Sequence, residues 1–147
     1  MADFGAIADA IAARFLGTTP PTGQPTIRLS TAELPNGITA TPAFLVFEPD
    51  DQWTDQTASG RSGLLTFKCR LILGQQDEPR TVRAALDWRT QLYQRLDAYV
   101  DLGGVAGVAS AVVTQTAQGT LTYAGSDWPS VEVTVVVSIR EAATYAA

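Results

Sequence analysis

The chain has 147 residues, a net charge of −5 at pH 7, a pI near 4.5, one cysteine and no histidine. Its length points to a single domain that buries a core without covalent staples, and Cys69 alone forms no internal disulfide, which fits a reducing compartment. Without histidine the commonest general base and metal ligand are missing, and a lone Lys68 among nine scattered arginines makes no phosphate-neutralising face, which argues against sequence-specific DNA binding.

The N-terminal stretch MADFGAIADAIAARF has neither a basic start nor a long apolar run. No signal peptide is expected, and no segment reaches the roughly 18 apolar residues of a membrane span. Residues 3–16 read as a short amphipathic helix, with Phe4, Ile7, Ile11 and Phe15 on one face. Asp3 suits its N-cap, and Gly17 suits a left-handed stop. The helix serves as an arm, packed on its own domain or on a neighbour. TTPPTGQP then breaks regular structure. The expected organisation is one domain over 1–147, with an N-terminal helical region at 1–17 and a Pro-rich connector at 18–26.

Residues 27–37 read as irregular or as a short edge strand, with Pro35-Asn36-Gly37 as a turn. Ile38 to Phe47 reads as a strand, and Pro42 is tolerated at its entry or on an edge. The next stretch, EPDDQWTDQTASGRSG at 48–63, reads as a long loop carrying Glu48, Asp50, Asp51, Asp55 and Arg61 around Trp53. Leu64 to Leu73 alternates: Leu65, Phe67, Cys69, Leu71 and Leu73 point one way, Thr66, Lys68 and Arg70 the other. One face is therefore packed and one is wet or in contact with a partner.

Residues 79–100 form the strongest helical pattern. Pro79 fits the first turn, and Val82, Leu86, Tyr93, Leu96 and Val100 form the expected apolar stripe, with Leu92 and Tyr99 beside it and Trp88 at its edge. Gly103-Gly104 stops it. A strand over Val105 to Thr116 is expected to turn at Gln118-Gly119 into Leu121–Ala124. After Gly125, Val131, Val133, Val135, Val137 and Ile139 alternate with Glu132, Thr134, Ser138 and Arg140 in the clearest strand of the chain. Trp128 sits at its entrance as a structural plug. Strands joined by short connections imply an α+β fold. We expect an antiparallel sheet of four to five strands, a long amphipathic helix on one face and an N-terminal helix.

Chemistry is sparse. Histidine-based triads and zinc sites lack their residues. Gly103 to Gly107 follows a helix and lacks the Walker lysine, so it reads as a stop rather than a phosphate cradle. Cys69 falls on the packed parity of its strand and reads as core. No catalytic, metal or cofactor-binding residue is assigned. Asp50, Asp51, Trp53, Asp55 and Arg61 form a candidate interaction loop, with Trp53 as apolar anchor and the aspartates as its polar rim.

RAALDWRTQLYQRLDAYVDLGGVAGVASAV, followed by YAGSDWPSVEVTVVVSI, resembles the tail terminator proteins of long-tailed bacteriophages, also called tail completion or minor tail proteins. An amphipathic helix ending in Arg95-Leu96-Asp97-Ala98-Tyr99 before a glycine stop carries the likeness. So do a Gly-x-x-Ser-x-Val-like stretch at Gly107 to Val112 and a Tyr-x-Gly turn from Tyr123 to Trp128 feeding a valine-rich strand. The first half fits more loosely. The resemblance implies a non-enzymatic subunit without cofactor, assembled in the host cytoplasm into a hexameric ring at the neck of the virion. Such a ring caps the tail tube protein, ends tube polymerisation and offers a surface to head-completion and other neck proteins. DNA passes through its lumen without sequence-specific binding, and no membrane is involved. Other readings stay open: a tail-tube subunit or another head–tail connector, a small carboxylate-dependent enzyme, or a binding module with no phage connection.

Overall fold

The computed structural model describes residues 3–57, 60–74 and 78–142. In chain order its elements are α1 (Phe4–Leu16), β1 (Leu29–Thr31), β2 (Ala43–Thr57), β3 (Gly60–Ile72), α2 (Glu78–Arg95) with a 3-10 turn at Leu96–Ala98, β4 (Val108–Tyr123) and β5 (Ser126–Ala142). The five strands form one sheet in the order β1-β2-β3-β5-β4. The fold is α+β as expected, but the sheet is mixed: β1 runs parallel to β2, and every other pair is antiparallel.

The core lies between one sheet face and both helices. β3 contributes Leu65, Phe67, Cys69 and Leu71, and β5 contributes Val131, Val133, Val135, Val137 and Ile139, all buried as their alternation requires. Ile7, Ile11 and Phe15 of α1 enter the same cluster, and Phe15 stacks on Phe44 with ring centroids 4.3 Å apart. The N-terminal helix thus packs on its own domain. Asp3 caps it as expected, its carboxylate accepting from the Ala6 N–H at 3.1 Å. Gly17 has φ −87°, so no left-handed turn explains it. A Cβ there would instead collide with the Arg95 guanidinium.

Helix α2 departs from expectation in length and in face. It spans 18 residues, and regular helix ends at Arg95 rather than at residue 100. Leu102, at φ 57°, then Gly103 and Gly104, at +83° and +92°, reverse the chain beyond it. Four of the five side chains of the predicted stripe face outward: Val82 is 47% exposed, Leu86 45% and Tyr93 40%, and Val100 is exposed too, while Leu96 is buried as expected. The buried face is Ala84, Ala85, Trp88, Leu92 and Leu96. Alanines let the helix approach the sheet closely, and Trp88, fully buried, fills the remaining space. Arg89 then fixes the helix against β4. Its Nε donates to Thr116 Oγ1 at 2.8 Å and its Nη2 to the Thr116 carbonyl at 3.1 Å.

The predicted loop at 48–63 is strand on both sides: β2 continues to Thr57 and β3 begins at Gly60. Aspartates disfavour strands, yet pairing wins, because β3 is held on its other side by β5 over its whole length. Bulges between Val46 and Pro49 and between Trp53 and Asp55 absorb the misfit residues. At its start β2 is shorter than predicted, opening at Ala43 rather than Ile38. The predicted turn at Gln118-Gly119 is also absent. β4 runs unbroken through it, paired to β5 at Val131 and Ser130, and the chain reverses only at Ala124-Gly125, both at positive φ. Trp128 lies within β5 opposite Leu121, part of a small second cluster with Leu29, Ile38, Phe47 and Tyr123 on the other sheet face.

Truncating Trp88 to alanine should cost about 3–5 kcal/mol in urea unfolding, whereas Leu86→Ser should stay within about 0.5 kcal/mol of wild type. The reverse ranking would restore the predicted stripe as the buried face.

Candidate interaction surface

β2, β3 and β5 run past the first residue of β4, Val108, which lies opposite Ile139. Arg140 to Ala142, paired with Ser62 to Gly60, carry the sheet about 10 Å further at ~3.4 Å per residue. Of the predicted interaction residues, Asp55 and Arg61 lie in this three-stranded blade, Trp53 stands at its base opposite Gly63, and Asp50 and Asp51 lie below it, at the level of β4. Trp53 is half-buried and lies flat over Gly63. A Cβ on Gly63 would come within 2.5 Å of the Trp53 ring and 2.8 Å of the Gln52 carbonyl oxygen. The Arg61 guanidinium stands 4.3 Å from the centroid of the same ring and donates through Nε to Glu141 Oε2 at 2.7 Å. The Trp53 indole N–H donates to Asp51 Oδ2 at 2.9 Å. Asp51, Trp53, Arg61 and Glu141 thus bind three adjacent strands together, and the tryptophan's contacts are largely made within its own chain.

Asp50 does not join them. It lies opposite Thr66, and Asp51 lies opposite Leu65, so the two carboxylates project from opposite faces of β2. Paired-acid chemistry needs two carboxyl groups converging on one bond, and these diverge. Asp55 pairs with Ser62 in the sheet, and its side chain lies outside the described residues.

The sheet face opposite the helices carries the polar side chains that the alternation of β3 predicts. Glu132 on β5 pairs with two cations there, with Arg70 Nη2 at 2.9 Å and Lys68 Nζ at 3.7 Å, while Lys68 donates to Thr134 Oγ1 at 3.0 Å. Both edges of the sheet are incompletely paired. β1 covers β2 only from Ala43 to Leu45, and β4 ends the sheet on the other side. The two edges differ in chemistry. β2 beyond β1 carries Pro49, Asp50, Asp51 and two bulges, devices that discourage a further strand. β4, VASAVVTQTAQGTLTY, contains no charged residue and no proline over 16 residues. Its Ala111 N–H is taken by the Val100 carbonyl at 2.6 Å and its Thr116 carbonyl by Arg89, but Ala117, Gly119, Thr120 and Thr122 are exposed.

A second cationic cluster, which the sequence did not single out, joins the ends of the two helices. Arg14 and Arg95 both lie over the Tyr99 ring, 4.5 and 4.8 Å from its centroid, and Arg95 Nε donates to the Arg14 carbonyl at 2.5 Å. Between the N-terminal half of α2 and the sheet, a cleft of about 520 Å³ is lined by Leu73, Val82, Ala85, Gln118, Asp127 and Ser130 among others. Among the described residues, no group of three or more His, Cys, Asp or Glu side chains is placed to hold a metal ion. No helix among them is long and apolar enough to cross a membrane.

Cys69 is fully buried, and that burial pushes its thiol far above the usual range. The folded chain keeps this proton where the unfolded chain loses it, so stability should fall as pH rises through about 8.5, the thiol range of an unfolded chain. Thiol reagents at pH 8 should label Cys69 only at the rate of global unfolding, and fast labelling would contradict the burial. Gly63→Ala should loosen the blade without unfolding the domain. The expected signs are a changed Trp53 emission and faster amide exchange in β2 beyond Pro49, with the core amides unaffected.

No protein-family model matches the chain, and a search of curated proteins finds no relative with significant similarity.

Proposed function

We propose that this chain is a self-assembling structural subunit of a phage neck. In this reading it is a tail-terminator-like protein that closes into a ring on the end of the tail tube, stops the tube's growth and joins it to the head. The observation that carries the reading is the β4 edge, a 16-residue strand without charge or proline at the border of a sheet, exposed at Ala117, Gly119, Thr120 and Thr122. Such an edge pairs with another chain unless something blocks it. The opposite border is chemically different, which favours contact between unlike surfaces, and head-to-tail contacts of that kind close into a ring where the rotation between copies closes. The net charge of −5 suits a passage for DNA, because like charge keeps the duplex from adhering. A tail-tube subunit would use the same edges, and the form of the assembly separates the two: a terminator makes a discrete ring, a tube subunit an open polymer.

Sedimentation and negative-stain imaging of the purified chain, alone and mixed with tail tubes, test this. A discrete ring that seats on tube ends is expected; a chain that stays monomeric at every concentration and ignores tubes would sink the proposal. Ala117→Lys, which puts a charge on the exposed edge, should weaken assembly and leave the melting temperature nearly unchanged. The blade is removed cleanly by replacing residues 53–63 with Asn-Gly, because Gln52 and Leu64 are register partners and a two-residue turn joins such a pair. That variant should fold and fail in tail joining; normal particles assembled from it would remove the blade from the joining surface.

A further inference from the structure

Arg14 and Arg95 are set in a built site. Arg14 closes the last turn of α1, and Arg95 closes α2. Each crosses a glycine of the other's neighbourhood: Arg95 lies where a Cβ of Gly17 would be, and Arg14 Nη2 lies 2.5 Å from where a Cβ of Gly103 would be. Both guanidiniums share the Tyr99 ring. Neither makes an ion pair with a carboxylate among the described residues. Arg14 Nε is buried and meets no acceptor. Arg95, with Thr19, Gln91 and Gln94, also lines a recess of about 140 Å³, to which Arg14 does not contribute. The carbonyl ends of two helices supply only about half a negative charge each against two full positive charges held close together. An unpaired cation pair in a chain with 15 acids and 10 bases calls for an oxyanion.

Its complement is present elsewhere on the chain. Glu48 and Asp50, on β2 below the blade, are exposed and form no ion pair among the described residues. We propose that the Arg14–Arg95 socket receives a β2 carboxylate, Glu48 or Asp50, from a second copy of this chain. Each copy then presents one acidic and one basic surface, and the contact is head-to-tail. The inference rests on self-association and adds the residues that set its direction and its salt dependence.

Sedimentation velocity on the full-length chain tests it, with wild type beside Arg14→Gln/Arg95→Gln and Glu48→Gln/Asp50→Asn. The carboxylate variant changes only exposed side chains, so it reports on the contact even if the arginine variant folds poorly. Each pair of substitutions is expected to weaken association roughly tenfold or more, and wild-type association is expected to fall with added salt. The charge exchange Arg95→Glu with Glu48→Arg should restore part of the loss. If wild type associates and both variants associate equally well, the socket is overturned while the assembly reading stands. If wild type never associates, both fall. If inorganic phosphate raises the melting temperature of wild type but not of the arginine variant, and association is indifferent to all substitutions, the ligand is a free oxyanion and the second copy is ruled out as its source.

Discussion

Thirteen consecutive residue pairs between β3 and β5, from Gly60 opposite Ala142 to Ile72 opposite Ser130, carry the rest of the molecule. On one face this register sets Leu65 against Val137, Phe67 against Val135, Cys69 against Val133 and Leu71 against Val131. On the other it sets Arg70 against Glu132 and Lys68 against Thr134, which are also the pairs that meet through their side chains. A slip of one residue would turn one strand over, sending either Lys68 and Arg70 into the core or Glu132 into the core and the valines into water. Apolar burial and polar pairing thus select the same alignment from opposite sides. β2 and β4 add to this central pair, and both helices cover one of its faces.

The helices show how small residues decide placement. α2 approaches the sheet through Ala84 and Ala85, and Trp88 occupies the volume they leave. Its bulkier Val82, Leu86 and Tyr93 are turned outward and stay 40–47% exposed. Arg89 adds direction by binding a backbone carbonyl and a hydroxyl of β4. At the far end, Gly17 and Gly103 make room for Arg95 and Arg14, so two glycines whose sequence context suggests simple helix stops also form the floor of a cationic site.

An asymmetric subunit results. One border of the sheet is blunted by proline, aspartates and bulges, and the other is a long uncharged strand. The blade is stiffened internally by Trp53, Arg61 and Glu141, and Glu48 and Asp50 stand below it on a paired strand rather than on a loop. Surfaces that differ in this way favour directional association over symmetric pairing, and the ring reading draws its physical content from that difference.

The α+β class, the two helices, the buried parity of β3 and β5, the core position of Cys69 and the outward face of Thr66, Lys68 and Arg70 were all legible in the amino-acid sequence. Each is a short-period signal, repeated often enough to identify which side chains must leave water. Asp51, Trp53 and Arg61 were legible as a group, although not as the internal clasp they form. Three features were decided only in the folded molecule: the extension of β2 and β3 through residues 48–63, the choice of Trp88 over Leu86 as the buried side of α2, and the meeting of Arg14 with Arg95 on Tyr99. The first depends on a third strand that lies some 80 residues away, since Arg61 meets Glu141 across that separation. The second depends on how closely a helix must approach a sheet, a distance that hydrophobicity along one segment does not encode. The third joins residues 81 positions apart. Local pattern specifies what each segment would bury; partners distant in the chain determine against what, and how near.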